Sequence, residues 1–265
     1  MNLRALTAAA GLFIAANCAA ETLFIHDATV HTATVPPVLQ DADIVVRDGR
    51  IERIGPNLEA PADARVIEAD GRPVTPGLFA GLTAHGLVEI GMVEHTVDGT
   101  LSAGSLPGPG MHPEFDVTPA YNPRSSVIPV TRIEGLTWSV LAADQNDSVI
   151  GGQGRAVVFD DGFDSFHGDP VLFVAVGAGA SGKSRGSRAA QWMLLEQALA
   201  EAGSNLDWTP APLLTPAGRE ALAGFRDAGV VVFGADRASD LLQVLDFAAK
   251  HGLNAVISGA AEGWL

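Results

Sequence analysis

The densest run of residues able to do chemistry is Gly177-Ala178-Gly179-Ala180-Ser181-Gly182-Lys183-Ser184, a Gly-x-x-x-x-Gly-Lys-Ser pattern. Between a strand and a helix, such a loop cradles phosphates: its backbone N–H groups face the anion and the lysine adds a cation. Against a nucleotide site stand Gly186, which falls where the helix should begin and weakens it, and the lack of a following apolar run that ends in an Asp for Mg²⁺. A second group, Glu89, Glu94, His95 and Asp98, crowds one short stretch. It could line the mouth of a barrel, where loops collect catalytic groups; the plainer alternative is a solvated acidic loop. His112 and His167 lie in Gly/Pro/Asp-rich surface loops. His251 falls near a helix C-terminus, where a cation is favoured.

These groups need elements to position them. Thr22–Ile25, Ile44–Val46, Ile51–Ile54 and Val66–Ile67 read as short strands, and Asp48-Gly49 between two of them is a strong hairpin signal. Beyond Pro76 the pattern changes. Thr137–Ala142, Arg155–Phe159 and Val171–Val176 are candidates for buried strands. Ser187–Ala202 reads as a helix, with Trp192, Leu195 and Leu199 on one face and Gly203 at its end. Thr215 and Pro216 open a second helix that stops at Gly229. Val230–Phe233, Ser239–Lys250 and Ala255–Ile257 then form a β-α-β unit, which requires parallel strands. A Gly/Pro/Ser-rich loop covers Ser102–Pro109.

The bulk numbers narrow the partners. The chain has 265 residues, with 16 Lys+Arg against 31 Asp+Glu and a net charge of −15. Phosphate backbones and anionic bilayers select basic faces, so nucleic acid and anionic membrane surfaces are excluded as partners; a small-molecule ligand fits. Residues 1–20 read as a signal peptide: Arg4, an apolar Leu6–Ala16 too short to span a bilayer, and small residues at Cys18 and Ala20 for cleavage after Ala20. The protein is expected to be exported, periplasmic or secreted, with no membrane span. It would then meet little ATP, a further point against the phosphate loop. Cys18 is the single cysteine and leaves with the signal, so the mature chain has no thiol ligand or disulfide.

Several motifs in fixed order carry a resemblance. Asp48-Gly49-Arg50-Ile51 precedes Asp70-Gly71-Arg72 and then Pro76-Gly77-Leu78-Phe79-Ala80-Gly81-Leu82-Thr83-Ala84-His85. Asn122-Pro123-Arg124, Gly135-Leu136-Thr137 and Ile150-Gly151-Gly152-Gln153-Gly154 follow. This series resembles the amidohydrolase superfamily, in its imidazolonepropionase-like branch. The resemblance implies an α/β fold: a small N-terminal β-sandwich module over residues 21–75 and a (β/α)₈ TIM-type barrel over 76–265. The barrel is expected to be incomplete, because Pro76 to Leu265 falls short of the ~250 residues such a barrel usually takes. It also implies hydrolysis of non-peptide C–N bonds by Zn²⁺ or a similar divalent metal that activates water.

The ligand positions that the resemblance implies are altered. Leu82 and Ala84 stand where the first strand should carry His-x-His, and His85 is one residue off, hence expected on the opposite face. Gly234 and Asp236 stand at two further His positions; Asp236 could serve as an oxygen ligand or cap the following helix. Gly259 stands at another, just before Ala260-Ala261-Glu262. The expectation is therefore no resident cofactor. His85, Glu89, Asp236, Arg237 and Glu262 are the pocket candidates, and three functions stand side by side: a divergent amidohydrolase, a non-catalytic ligand- or partner-binding relative, and, through residues 177–184, a nucleotide binder.

Overall fold

In the computed structural model, residues 21–265 are described, apart from 103–105, 107, 204–210 and the side chain of Glu94. The expected signal peptide and part of the Ser102–Pro109 loop lie outside the described residues. The chain divides into two compact units between Pro76 and Gly77.

The first unit is one five-stranded sheet. Strands β1 (Leu23–His31), β2 (Val38–Arg47), β3 (Arg50–Gly55), β4 (Arg65–Glu68) and β5 (Pro73–Val74) take the order β3-β2-β1-β4, with β5 also on β1. Asp48 and Gly49, at φ 51° and 71°, both adopt the left-handed conformation that a type I′ hairpin turn requires. Ala28, Val30, Ala42, Ile44 and Ala69 form a small buried core. Where the sequence led us to expect a sandwich, residues 21–76 make a single sheet. Within β2, Asp43, 2% exposed, accepts hydrogen bonds from His26 Nδ1 (2.8 Å) and from the N–H groups of Asp27 (3.0 Å) and Leu58 (2.9 Å).

The second unit is built on a six-stranded sheet with helices. Its strands are β6 (Leu78–Thr83), β8 (Leu136–Leu141), β10 (Ile150–Val158), β11 (Phe166–Ala175), β12 (Val230–Ala235) and β13 (Asn254–Gly259), in the order β13-β12-β11-β10-β8-β6. Two short strands, β7 (Thr100–Leu101) and β9 (Asp144–Gln145), pair beside it. The helices are α1 (Val127–Ile133), α2 (Arg188–Ala202), α3 (Pro216–Ala228) and α4 (Ala238–His251). The sheet is open and curled into a half barrel. One strand departs from the barrel pattern. β6 and β8 are parallel, as are β11, β12 and β13, but β10 runs antiparallel to both its neighbours. Ile150–Gly154, which the resemblance to amidohydrolases implies is a loop, is the first half of that strand. Its glycines allow the close crossing: a Cβ on Gly154 would lie 1.8 Å from the Leu141 carbonyl oxygen, and one on Gly152, at φ 109°, 2.5 Å from that of Phe115.

The helix ends follow local chemistry. The Ser187 hydroxyl accepts from the Ala190 N–H at the start of α2, and that of Thr215 from Gly218 at the start of α3. Gly252, left-handed at φ 66°, closes α4. The core between helices and sheet includes Leu172, Val174, Leu195, Leu199, Leu222, Val231, Phe233 and Phe247. Burying each such side chain contributes roughly 1.5–3 kcal/mol. α2 also buries two polar residues, each with backbone partners. Gln191 clamps Gly177, accepting its N–H (2.7 Å) and donating to its carbonyl (2.9 Å). Glu201 accepts from the Leu213 and Leu214 N–H groups. Among the described residues, no helix is long and apolar enough to cross a membrane.

Candidate functional site

Parallel strands gather functional groups at their C-terminal ends, because every following loop starts there. In the second unit these ends are Thr83, Leu141, Ala175, Ala235 and Gly259. Two cavities open among them. The first, of about 220 Å³, is mostly apolar and is lined by Leu82, Phe173, Val232, Gly234, Ser258 and Asp144, among others. The second, of about 310 Å³, is the more polar of the two, with Lys183, Asp236, Arg237 and Asp240 among its lining residues. Ala175 and Gly234 belong to the walls of both.

The segment after β11 builds the polar cavity. Gly177, at φ 82°, turns the chain where a Cβ would lie 2.6 Å from Asp240 Oδ2. Residues Ser181–Ser184 then coil into a 3-10 turn, Arg185 and Gly186 are left-handed, and α2 begins only at Arg188. Several amides of this segment are taken: Ser181 N–H donates to Ala178, Lys183 to Ala180, Gly186 to Ser181 and Gly177 to Gln191. The Lys183 ammonium binds Asp144 Oδ1 at 2.8 Å and the Gln145 carbonyl. The geometry counts against the phosphate-loop alternative, as the sequence did: the lysine is half of an ion pair. Lys183 is well buried and Asp144 half-exposed, so the pair ties the loop after β11 to β9 across the mouth of both cavities.

Asp240, at the start of α4, is almost fully buried. One oxygen receives Arg188 Nη1 at 2.8 Å; the other, Oδ2, is buried with no hydrogen-bond partner. Glu262 reaches back from the C-terminal turn and accepts the Ala238 N–H at 3.0 Å, which caps α4 from outside.

Of the five residues expected at a pocket, the structure brings Asp236 and Arg237 together on the polar cavity. Asp236 does not cap α4; Arg237 occupies the N-cap position and Glu262 supplies the carboxylate. Glu262 is thus a capping residue rather than a pocket residue. Glu89 is exposed and accepts from Asn122 Nδ2 at 3.1 Å in the loop after β6, because the Gly86–Asp98 stretch folds on itself through Thr96. His95 and Asp98 sit in the same loop. His85 packs its ring against Phe159, 5.6 Å between centroids, with Nδ1 buried and unpartnered. Burial pushes its pKa down, so the ring is neutral at pH 7. His112 Nδ1 donates to the Glu114 carboxylate (3.1 Å), and it is buried rather than on the surface as expected. The sequence reading missed Asp144, Asp240, Arg188 and Gln191. Arg188 and Gln191 carried a signal as polar residues in the first turn of a helix, and Asp240 as the final Asp of the segment Asp236-Arg237-Ala238-Ser239-Asp240.

The half barrel has known counterparts. No family model matches the sequence, and no curated protein matches it. Among solved structures, an amidohydrolase from Thermotoga maritima MSB8 matches with a TM-score of 0.72 at 21% identity, over 91% of this chain and 65% of that one. The chain shares the fold of that structure. The chain spans 65% of the length of that structure. Molinate hydrolase aligns at 12% identity, over 91% of this chain and 30% of that one, with a TM-score of 0.21, too low to carry an argument.

The amidohydrolase chemistry implied by the sequence needs a divalent metal, and the residues at its positions do not fit one. Leu82 presents an isobutyl group to the apolar cavity, and Ala84 packs in a hydrophobic cluster. Gly234 and Gly259 offer no donor atom, and a Cβ on Gly259 would lie 2.5 Å from Asp236 Oδ1. Among the described residues, no three His, Cys, Asp or Glu side chains converge on a point where an ion could sit.

Proposed function

We propose that the chain is a divergent, exported relative of the amidohydrolase superfamily that binds a small polar molecule at the strand ends without the family's divalent metal. The fold supports the superfamily at the coarse level of an amidohydrolase-like hydrolase. The motif order around Pro76-Gly77-Leu78 and Asn122-Pro123-Arg124 supports the imidazolonepropionase-like branch, and the signal-like residues 1–20 support export.

One observation carries the reading: where the metal chemistry would need imidazoles there are Leu82, Ala84, Gly234 and Gly259, while the Lys183–Asp144 ion pair supplies the fixed charge at the mouth. A metal-activated hydroxide requires several donor side chains on one ion. An ammonium on a carboxylate can orient a carbonyl or carboxylate of a ligand but cannot lower the pKa of a bound water in that way. The test is the metal content of the full-length protein, purified without chelators and measured by inductively coupled plasma mass spectrometry. The reading expects no stoichiometric metal. One equivalent of Zn, Mn or Fe per chain overturns it.

A further inference from the structure

We propose that the two cavities take the two halves of one amphipathic zwitterion, the charged head in the polar cavity and an apolar arm in the other. The inference rests on the reading that the strand ends bind a small molecule.

The charges define the head. Lys183 is engaged by Asp144, and Arg188 is engaged by Asp240. Asp236 and Arg237, adjacent in sequence and exposed, both line the polar cavity, and among the described residues no ion pair ties either of them. One carboxylate and one guanidinium side by side match a ligand that carries one ammonium and one carboxylate. A lone anion would leave Asp236 facing it, and a lone cation would leave Arg237 facing it, each at an electrostatic cost. The guanidinium suits a carboxylate in particular, because its fork of N–H donors can meet both oxygens.

The neighbouring cavity defines the arm. Leu82, Phe173 and Val232 line it with hydrocarbon, and Ser258 adds one hydroxyl. Gly234, with Ala175, belongs to the wall shared by the two cavities. A Cβ built on Gly234 meets only the Val174 carbonyl oxygen, at an ordinary 3.9 Å, so the strand tolerates a side chain there and only the open space at the shared wall is lost. The class of ligand is thus an α-amino acid or a derivative with a free ammonium, a free carboxylate and a branched or aromatic apolar group.

The experiment is isothermal titration calorimetry on the full chain with three probes: L-leucine, leucinamide, which keeps only the cation, and N-acetyl-leucine, which keeps only the anion. L-leucine is expected to bind most tightly, with each single-charge probe weaker by about tenfold or more. Arg237→Ala should weaken L-leucine and N-acetyl-leucine but leave leucinamide unchanged, and Asp236→Asn should do the converse. Gly234→Val should abolish binding of all three while the thermal midpoint stays at the wild-type value. Absence of L-leucine binding at millimolar concentration overturns the proposal, as does binding that Gly234→Val leaves intact. Either result in a protein free of stoichiometric metal sinks this inference alone. Stoichiometric metal sinks the proposed function whatever the titrations show.

Discussion

Replacing Lys183 with Met keeps the length and apolar stem of the side chain and removes only the ammonium. Two hydrogen bonds vanish, one to Asp144 Oδ1 at 2.8 Å and one to the Gln145 carbonyl. A hydrogen bond with one charged partner contributes about 1.5–3 kcal/mol. Asp144 is half-exposed, so water recovers most of its share. The carbonyl of fully buried Gln145 has less recourse to water. The net expectation is a loss of about 2 kcal/mol. For a unit of this size, each kcal/mol moves the thermal midpoint by about 2–4 °C, so Lys183→Met should melt about 4–8 °C below wild type. Urea unfolding should show a lower midpoint with an unchanged slope, since the buried area does not change. Asp144→Asn should cost much less, because the ammonium keeps the carbonyl and can use the amide oxygen. If Lys183→Met melts within a degree of wild type, or if Asp144→Asn costs as much, the pair does not tie the loop to β9 as argued.

Three further outcomes are expected. Tyr121 is the single tyrosine, and burial, reinforced by Asp160, raises its pKa to about 12; an ultraviolet titration at the tyrosinate band should show no ionisation of native protein near pH 10, and a midpoint at 10 before unfolding would contradict its placement. In the first unit, the hydrogen bond to Asp43 raises the His26 pKa. On Asp43 burial acts upward but is outweighed by the Asp27 and Leu58 N–H groups and His26, so its pKa is lowered. The His26 contribution is therefore present below pH 6.5 and lost as pH rises through its raised value; that of Asp43 is present above pH 3.8 and lost as pH falls through its lowered value. The stability difference between wild type and His26→Gln, followed by urea midpoint against pH, should shrink above the raised value, and a difference that grows with pH contradicts the assignment. Glu262→Ala removes the carboxylate cap of α4 and should cost about 1 kcal/mol, with faster hydrogen exchange confined to the first turn of that helix; unchanged exchange there rules out the capping role.

Much of the fold was legible because its signals are local. Thr215-Pro216 opens α3 with the groups it was expected to use, and Asp48-Gly49 makes the expected hairpin. The β-α-β unit over β12, α4 and β13 is parallel, as its spacing requires. The antiparallel course of β10 was not legible, since a run of apolar residues and glycines does not state strand direction; that is set by pairing with β8 and β11. α1 was not foreseen: its Val127, Ile128, Val130 and Thr131 are β-branched and carry a weak helix signal. At the site, Asp236 and Arg237 were found by motif and the structure joins them on one cavity. Asp144 and Lys183 are 39 residues apart, and nothing in either neighbourhood names the other. The Gly-x-x-x-x-Gly-Lys-Ser pattern pointed to phosphate because a pattern records residue types, whereas the state of the amides depends on the turn the chain adopts.

The central claim is that the strand ends hold an internal ion pair where the fold's metal chemistry would need a cluster of donors. Anomalous diffraction at the zinc edge, from crystals grown with millimolar Zn²⁺, tests it directly. The account predicts no anomalous peak in the cavity bounded by Leu82, Gly234 and Ser258, with Lys183 still on Asp144. A peak there with two or more protein ligands, and Lys183 displaced from Asp144, would contradict it.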